Sequence, residues 1–257
     1  MTTAHQRLAE RSTQPRRVTW RDLDADPVLL TALVDAYRTV FGGAEWREWS
    51  RCTHPDCLRQ YSKDESLQLA VCACGRAGTL VPFHPEHEVI RRLRRHLADP
   101  VQSACYLWAD RPDSVGAFCW GYRTSVSELA EEFATDDDSA ADISAHIAEH
   151  LGRHPGDAAP DPARTRVCRF AEGGVTLPLR NTGLTWAMFD RLLAWADETR
   201  TSAVVARTSG RSPMYRICGE RLGMRIVYHY RHAADDRVIL AGTAAEMRRR
   251  LESRPTR

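Results

Sequence analysis

Residues 172–224 read EGGVTLPLRNTGLTWAMFDRLLAWADETRTSAVVARTSGRSPMYRICGERLGM, and this stretch decides the fold of the 257-residue chain. An apolar segment leads into a polar turn at residues 180–183, and the next segment has an apolar stripe at Leu184, Met188, Leu192 and Trp195. That spacing predicts a half-buried helix, and the β-branched run at residues 203–206 predicts a strand after it. A glycine-containing turn between a strand and a helix presents helix N-terminal N–H groups in the way that binds phosphate.

The same stretch resembles the GCN5-related N-acetyltransferase (GNAT) superfamily. The acyl-CoA signature of that family is Arg/Gln-x-x-Gly-x-Gly/Ala, and the matching segment here is Arg180-Asn181-Thr182-Gly183-Leu184-Thr185. Thr185 departs from the small residue that is usual at the last position. The resemblance covers residues 166–242 and includes Ser212-Pro213-Met214 and Leu222-Gly223-Met224. It implies an α/β fold with a mixed, mostly antiparallel central sheet that is splayed between two strands and flanked by helices.

The resemblance also implies that the turn and the strand before it bind acetyl-CoA. The cofactor-binding residues predicted in this way are Val175, Thr176, Leu177, Arg180, Asn181, Thr182, Gly183, Leu184 and Ser212. The N–H groups of the turn would hold the pyrophosphate, and residues 175–177 would pair with the pantetheine amides. A backbone N–H near Val175 would polarise the thioester carbonyl. The Gly173-Gly174 pair in the predicted strand 166–177 indicates a bulge where sheets of this family splay.

Two residues are candidates for acid–base chemistry. Glu172 could take the proton from the acceptor amine, although an exposed glutamate at a strand end would look the same in sequence. Many family members have a tyrosine that protonates the departing thiolate, but this chain has Gly219 at that place. Tyr215 lies one helical turn earlier and could substitute; the alternatives are a packing tyrosine and an unassisted thiolate. Cys218 is predicted to be a buried thiol and not an acyl-carrying nucleophile.

Residues 44–82 form a cysteine-rich insertion with little apolar periodicity, and its cysteines are Cys52, Cys57, Cys72 and Cys74. Two thiolate pairs can supply a tetrahedral structural zinc site, and a long segment without secondary structure needs such a staple. Some GNAT relatives have a similar insertion with a Trp-x-Glu before cysteine pairs, as Trp46-Arg47-Glu48 is here. Neither pair has Cys-x-x-Cys spacing, so His54, His84 or His87 could replace one thiol. Four reduced cysteines without metal are the alternative.

The remaining segments predict the other elements around these motifs. We expect a strand at 17–20, helices at 27–41 and 85–97, a hairpin of 105–108 and 115–122, helical structure at 125–151, and strands at 224–230 and 237–240. Asp136-Asp137-Asp138 would break the helical segment or cap its second half, and Cys105 and Cys119 would be buried thiols. The predicted organisation is a disordered arm at 1–16, one domain at 17–242 and a helical tail at 243–257.

Two clusters of chemistry-bearing residues have more than one interpretation. Helix 85–97 has four arginines on one side, Arg91, Arg92, Arg94 and Arg95. They form either a solvated basic face or a docking face for a polyanion such as tRNA. His146, His150 and His154 have a spacing that could bind a metal, but a solvated helix face is the simpler interpretation.

Composition excludes some function classes and sets the compartment. The chain has 36 basic and 34 acidic residues, a net charge of +2, so no global field attracts it to nucleic acid or membrane. The polar N-terminal segment lacks the apolar core of a signal peptide, and no apolar run approaches the length of a membrane span. We therefore expect a cytoplasmic protein without membrane association. Its eight cysteines are then metal ligands or buried thiols, not disulfides.

The predicted function is an acyl-CoA-dependent N-acyltransferase, most simply an N-acetyltransferase. It would transfer an acetyl group from acetyl-CoA to a small-molecule or peptide amine by direct attack in a ternary complex, and a homodimer is left open. One alternative is a relative that uses aminoacyl-tRNA as donor and binds tRNA through the arginine helix. The others are a non-catalytic zinc-containing interaction module and a CoA-binding regulator without turnover.

Overall fold

The structure is a computed structural model that describes residues 14–57, 59–69, 71–109, 111, 113–152, 161–231 and 236–254. Most of the predicted arm, residues 1–13, lies outside the described residues, as does His154. Arg16, at the end of that arm, already belongs to the first strand. In the described residues no helix is long and apolar enough to cross a membrane.

Ten strands and nine α-helices are described. The strands are β1 (Arg16–Val18), β2 (Ser50–Cys52), β3 (Gln60–Tyr61), β4 (Leu80–Pro82), β5 (Ser103–Trp108), β6 (Ala117–Ser125), β7 (Arg166–Val175), β8 (Ala203–Ser209), β9 (Arg225–His229) and β10 (Arg237–Thr243). The helices are α1 (Trp20–Ala25), α2 (Pro27–Phe41), α3 (Lys63–Gln68), α4 (Glu86–His96), α5 (Val126–Phe133), α6 (Ala140–Leu151), α7 (Leu184–Glu198), α8 (Pro213–Arg216) and α9 (Ala244–Glu252).

The central sheet has seven strands in the order β1-β5-β6-β7-β8-β10-β9. β1 and β5, β8 and β10, and β10 and β9 pair antiparallel, whereas β7 and β8 pair parallel. The crossover that a parallel pair requires is supplied by α7. The predicted fold class, α/β with a mixed, mostly antiparallel sheet flanked by helices, is confirmed.

The β7–β8 ladder ends before either strand does. Its register runs from Val167 opposite Ala203 to Phe170 opposite Ala206. β7 nevertheless continues to Val175, and β8 remains paired with β10 as far as Ser209 opposite Arg237. The predicted splay between two strands of the sheet is therefore confirmed, and it lies between β7 and β8.

Side-chain caps explain why several helices begin where they do. Thr19, Ser62 and Ser125 each form a capping box with the acidic residue three positions later, satisfying two helix-terminal N–H groups at once. Asp26 caps α2, which has proline at its first position. In α7 the predicted apolar stripe is buried, with Trp195 fully inaccessible.

The cysteine-rich insertion is more ordered than predicted. Residues 44–82 were expected to lack secondary structure, but they contain α3 and a second sheet in the order β3-β2-β4. The strands are only two or three residues long, too short to produce a recognisable period-2 pattern. That part of the prediction is wrong.

Two smaller predictions can be compared with the structure. Trp20, expected in a strand, is the first residue of α1, because Thr19 caps a helix there. The predicted break at Asp136-Asp137-Asp138 is confirmed, because the helical segment 125–151 is divided there into α5 and α6; the cap of the second helix is Ser139 and not one of these aspartates. Asp138 is instead fully buried and accepts hydrogen bonds from Tyr228 Oη at 2.9 Å and from the Arg231 N–H at 3.1 Å.

The described residues form two compact units. The first contains the residues up to Pro100 together with Cys105–Cys119 and Gly173–Met188, and the second contains the rest. In the second unit the apolar core lies between α5, α6 and the sheet, with Leu129, Phe133, Ile147, Val205 and Ile239 among its buried members. In the first unit α2 buries one face, including Leu33 and Tyr37.

Candidate functional site

The turn before α7 has the backbone conformation expected of an anion-binding loop. Asn181 (φ 65°) and Gly183 (φ 91°) are both left-handed, a conformation that glycine and asparagine tolerate best. Thr182 Oγ1 closes the turn by donating to the Leu179 carbonyl at 2.6 Å. The first N–H groups of a helix have no partner within it and lie at the positive end of its dipole. Here those groups belong to the residues that follow the turn.

Gly183 leaves the turn open to a ligand. A Cβ atom placed on this residue would meet nothing within 4 Å. Backbone N–H groups can therefore be approached closely from this side, as a diphosphate requires. The turn therefore has room beside it for an anion such as a diphosphate.

Arg180, predicted to contact that pyrophosphate, is paired with Glu45 of the insertion. The two side chains form a hydrogen-bonded ion pair and are 31% and 39% exposed. The hydrogen bond from Arg180 lowers the pKa of the Glu45 carboxyl, more than partial burial raises it. The Arg180 guanidinium, which is predicted to bind a phosphate, is thus paired with the Glu45 carboxylate in this structure.

The residues predicted to line the pantetheine arm differ in what their main chains can offer. The Thr176 N–H donates to the Gly116 carbonyl at 2.9 Å, and its hydroxyl donates to the same oxygen. Because successive residues of a strand direct their main-chain groups to opposite edges, the Val175 N–H lies on the other edge. Leu177 has left the strand and begins a 3₁₀ turn, Leu177–Leu179. Of the three residues, Val175 is placed best for pairing with a ligand amide.

The Gly173-Gly174 pair has a packing role that the sequence did not reveal. A Cβ on Gly174 would lie 2.7 Å from Val40 Cγ1 and 2.9 Å from Phe118 Cζ. β7 runs through both glycines as one strand. The bulge inferred from this pair stays a prediction, but the close approach of α2 to Gly174 is observed.

Glu172, Ser212 and Tyr215 all belong to the second unit, whereas the turn residues 180–184 belong to the first. Glu172 is half-buried and interacts electrostatically with Arg169. Ser212 is 1% exposed, and its hydroxyl caps α8 by accepting from the Tyr215 N–H at 3.1 Å. A cofactor could reach that hydroxyl only by displacing the cap. The roles of these three residues stay predictions.

The buried thiols match their predictions. Cys105, Cys119 and Cys218 are each 1% exposed or less. Burial raises the pKa of the Cys218 thiol to about 12, which keeps it protonated and unreactive at neutral pH.

The structure brings the four cysteines of the insertion together. Their sulfur atoms all lie within 4.8 Å of one another. Cys52 Sγ lies 3.9 Å from Cys74 Sγ, and Cys57 Sγ lies 3.5 Å from Cys72 Sγ. Four thiolates at about 2.3 Å from a tetrahedral zinc ion are about 3.8 Å apart, so the donor set and spacing fit zinc. A disulfide would need about 2.05 Å.

Local hydrogen bonds fix these sulfur atoms. The Gly75 N–H closes a tight turn on the Cys72 carbonyl at 2.8 Å, and the His54 N–H donates to Cys52 Sγ at 3.4 Å. Tyr61 Oη lies 3.1 Å from Cys72 Sγ. Hydrogen bonds from the Cys74 N–H and from Tyr61 lower the pKa of Cys72 to about 6. A ready thiolate suits a metal ligand.

The histidines offered as substitute ligands have other environments. His54 accepts a hydrogen bond from the Asp56 N–H through Nδ1 at 3.2 Å, and His84 Nε2 lies 2.8 Å from a Glu48 carboxylate oxygen. His87 is exposed on α4. The thiols of the four cysteines form the cluster without them.

Sequence reasoning missed two neighbouring arginines in the second unit, of which Arg169 is buried and Arg207 is half-buried. Arg169 on β7 is 4% exposed, forms an ion pair with Glu132 and donates to Tyr122 Oη at 2.5 Å. Arg207 on β8 donates to Tyr230 Oη at 3.4 Å. The available signal was a cation inside each apolar run, in Val167-Cys168-Arg169-Phe170 and at the end of Ala203-Val204-Val205-Ala206-Arg207.

Comparisons with known proteins give structural likenesses only. No protein-family model matches the sequence, and no curated protein is significantly similar to it. Structural neighbours include a Desulfovibrio desulfuricans protein described as a "putative acetyltransferase of the GNAT family", at 13% identity and TM-score 0.38, covering 62% of this chain and 80% of that one.

Two further neighbours have comparable scores. An N-acyl amino acid synthase from uncultured soil microbes is 10% identical, with TM-score 0.43 and coverage of 61% of this chain and 80% of that one. A polyamine N-acetyltransferase of Drosophila melanogaster is 15% identical, with TM-score 0.40 and coverage of 69% and 92%. At these identities and TM-scores, none of them assigns an activity to this chain.

Proposed function

We propose that this protein is a GNAT-type N-acyltransferase that transfers an acetyl group from acetyl-CoA to the amine of a small molecule or peptide. The observation that carries the proposal is the turn at residues 180–183. It has two left-handed residues, faces open space at Gly183, and leads directly into the N-terminus of the 15-residue helix α7. The end of the β7–β8 ladder at Phe170 and Ala206 supports it.

Each proposed role follows from what the residue offers. The N–H groups at the start of α7 would bind the pyrophosphate, and Arg180 would exchange the Glu45 carboxylate for a phosphate oxygen. The Val175 N–H would donate to the thioester carbonyl as it gains negative charge. Glu172 would accept the amine proton, and Tyr215 would donate to the departing thiolate.

Calorimetry with acetyl-CoA tests the cofactor site. Gly183→Glu places an anion and a side chain in the turn, and we expect affinity to fall more than about tenfold. Gly78→Glu is the matched control, because Gly78 is also left-handed (φ 72°) and also faces open space. The Gly78→Glu variant introduces the same backbone strain without contacting the turn at residues 180–183. Its affinity for acetyl-CoA should therefore be unchanged. Equal affinities for both variants would place the cofactor elsewhere.

A thiol-release assay with acetyl-CoA and a panel of amines tests turnover. The wild-type chain should release CoA with at least one amine, and Glu172→Gln should lower kcat about 10²-fold or more while leaving acetyl-CoA affinity intact. Acetyl-CoA binding without thiol release from any amine would instead favour the CoA-binding regulator.

We also propose that the four-cysteine cluster holds one structural zinc ion. All four corners are protein thiols, so no position is open for water or substrate. The predicted cytoplasmic location suits this site, because thiols stay reduced there. The ion would hold together an insertion whose strands are too short to be stable alone.

Metal analysis of the purified protein tests the zinc site. The wild-type chain should contain about one zinc ion, and Cys52→Ser combined with Cys74→Ser should contain none and unfold at a lower temperature. Cys218→Ser is the control, since this buried cysteine lies outside the cluster and its loss should leave zinc content unchanged. Equal zinc in the double variant and the wild type would contradict the assignment.

A further inference from the structure

Arg207 is a cation without a counter-ion in the described part of the chain. Its one hydrogen bond is a long contact of 3.4 Å to the neutral Tyr230 hydroxyl, although a guanidinium has five N–H donors. The side chain is half-buried. Burial lowers the pKa of the Arg207 guanidinium, and the neighbouring Arg237 and Arg169 lower it further. Desolvating an unpaired charge in this way is costly unless a ligand supplies the opposite charge.

Arg169 holds the other side of the cluster in place. Its guanidinium carbon lies 4.6 Å from the centre of the Phe133 ring, and that of Arg207 lies 4.9 Å from the same centre. Two cations thus share one aromatic ring. Arg169 is bonded to Glu132 and Tyr122, yet its Nε atom is buried without a hydrogen-bond acceptor.

The position of Arg207 in the sheet connects this cluster with the proposed chemistry. Arg207 is the first residue of β8 after the last β7–β8 pair, Phe170 with Ala206. On β7, Glu172 follows Phe170 by two residues and interacts electrostatically with Arg169. The unpaired cation and the candidate base therefore belong to one group of charges within the second unit.

Arg207 brings one positive charge to this group. Arg169 is paired with Glu132, whereas no ion pair of Arg207 is found in the described residues. A guanidinium binds a carboxylate through two parallel hydrogen bonds. A carboxylate monoanion would match the single charge and the paired donors of the Arg207 guanidinium.

We propose that Arg207, held beside Arg169 on the Phe133 ring, binds the carboxylate of the acyl acceptor, so that the acceptor is a small amino carboxylic acid. This inference rests on the proposed transferase function, because it assigns the acceptor of that reaction. The acceptor amine and carboxylate would belong to one small molecule, with the amine directed to Glu172. Arg207 is then the residue that determines acceptor specificity.

Paired acceptors test the inference on the unmodified protein. CoA release from acetyl-CoA is measured with each of the twenty amino acids and with the corresponding amino acid amides. At least one free acid should be used with a kcat/KM about 10- to 100-fold above its amide, as expected for a lost charged hydrogen bond. Equal use of acids and amides, or use of amides alone, would overturn the inference while leaving the transferase function standing.

Variants of Arg207 test whether this residue discriminates between the free acid and its amide. Arg207→Gln should reduce the acid-to-amide ratio to about one by lowering kcat/KM for the acid alone, with amide turnover and acetyl-CoA affinity unchanged. Arg207→Lys keeps the positive charge but lacks the two parallel N–H donors of a guanidinium, so it should give an intermediate acid-to-amide ratio. Arg225→Gln, at an exposed arginine of β9, is the control and should keep the wild-type ratio. An unchanged ratio in Arg207→Gln would also overturn the assignment.

A binding measurement separates the two proposals. N-acetylated amino acids and their amides are added to the protein without acetyl-CoA, and the shift in Tm is recorded. Stabilisation by the acids, absent in Arg207→Gln, would support the anion site even if no thiol were released, in which case the transferase function alone would fail. No stabilisation together with no acid-dependent turnover would overturn the site.

Discussion

Arg180 can neutralise only one anion at a time, and in this structure the anion is Glu45. Both side chains are partly exposed, so the pair contributes little to stability. Its effect is on binding, because a phosphate must compete with the carboxylate for the same N–H groups. The insertion therefore supplies an internal competitor for the proposed pyrophosphate site.

Glu45→Gln should strengthen acetyl-CoA binding about 1.4- to fivefold, since an exposed pair of this kind is worth about 0.2–1 kcal/mol. Calorimetry at low and high salt measures the gain, which should shrink at high salt. Glu65→Gln is the control: Glu65 pairs with Arg47 in the same insertion, and glutamine preserves its capping role. Weaker binding in Glu45→Gln would mean that Glu45 positions Arg180 instead of competing.

At the residue scale, the sequence alone identified side chains by chemical type, but it did not show the hydrogen bonds and ion pairs that already engage them. Ser212 was predicted to bind the cofactor from its residue type, and the sequence did not show that its hydroxyl caps α8. Arg169 and Arg207 went unnoticed because a cation in an apolar strand gives no sign of what faces it. Such occupancy depends on contacts between distant segments, which residue spacing does not encode.

Among the elements, helix α5 shows how one cap couples to pH. Glu128 accepts hydrogen bonds from the Ser125 N–H and from the Thr124 and Ser125 hydroxyls. These bonds, the Ser125 N–H foremost, lower the pKa of Glu128 to about 2. Since the folded pKa is depressed, the stabilisation is present above about pH 4.5 and is lost as the pH falls toward 2.

Glu128→Gln keeps an acceptor for the capping box but removes its charge, so it should cost about 0.3–1 kcal/mol near pH 7, toward the low end because the side chain is 63% exposed. The difference in unfolding free energy between the wild type and the variant should vanish as the pH falls from 4.5 to 2, because the wild-type carboxylate becomes protonated. Denaturant unfolding at several pH values measures this, and the exposed Glu131→Gln on the same helix is the control. A loss that stays constant with pH would exclude the charged cap as its cause.

Long periodic elements were predictable, and short ones were not. The stripe from Leu184 to Trp195 predicted α7 at its observed start, because fifteen residues contain four helical repeats. β3, with two residues, contains no period at all. Its existence depends on pairing with β2, which ends at Cys52 of the cysteine cluster.

For the molecule as a whole, charge argues against the tRNA-dependent alternative. The net charge is only +2, and the basic face of α4 is partly engaged within the fold. Arg92 donates to Tyr37 Oη at 2.5 Å, and Arg94 lies over the Trp20 ring at 5.0 Å. Fewer guanidinium groups are then available for phosphates than the sequence of this helix suggests.

We expect tRNA not to compete with acetyl-CoA and to bind weakly at 150 mM salt, because few phosphates would be neutralised. Filter binding of total tRNA from 50 to 300 mM NaCl measures this. Arg91→Gln combined with Arg95→Gln should change acetyl-CoA turnover little. Tight tRNA binding that weakens steeply with salt, and less steeply in this double variant, would instead support aminoacyl-tRNA as the donor.

The overall architecture was predictable because one stretch, residues 172–224, contains the turn, the crossover helix and the strand after it. A parallel β7–β8 pair within a mostly antiparallel sheet follows from that order alone. The point at which the pair separates, after Phe170 and Ala206, does not follow from it, because element order does not encode where pairing stops.

The edge of β8 that β7 leaves unpaired also has a consequence for self-association. Beyond Ala206 the β7 side of β8 has no strand partner in the described chain, and such an edge can recruit an extended segment from another polypeptide. Natural proteins discourage such recruitment with a charged gatekeeper, and Arg207 stands at the first unprotected position. Replacing it with an apolar residue would then risk self-association as well as a change in acceptor, so polar substitutions are the ones suited to dissecting its role.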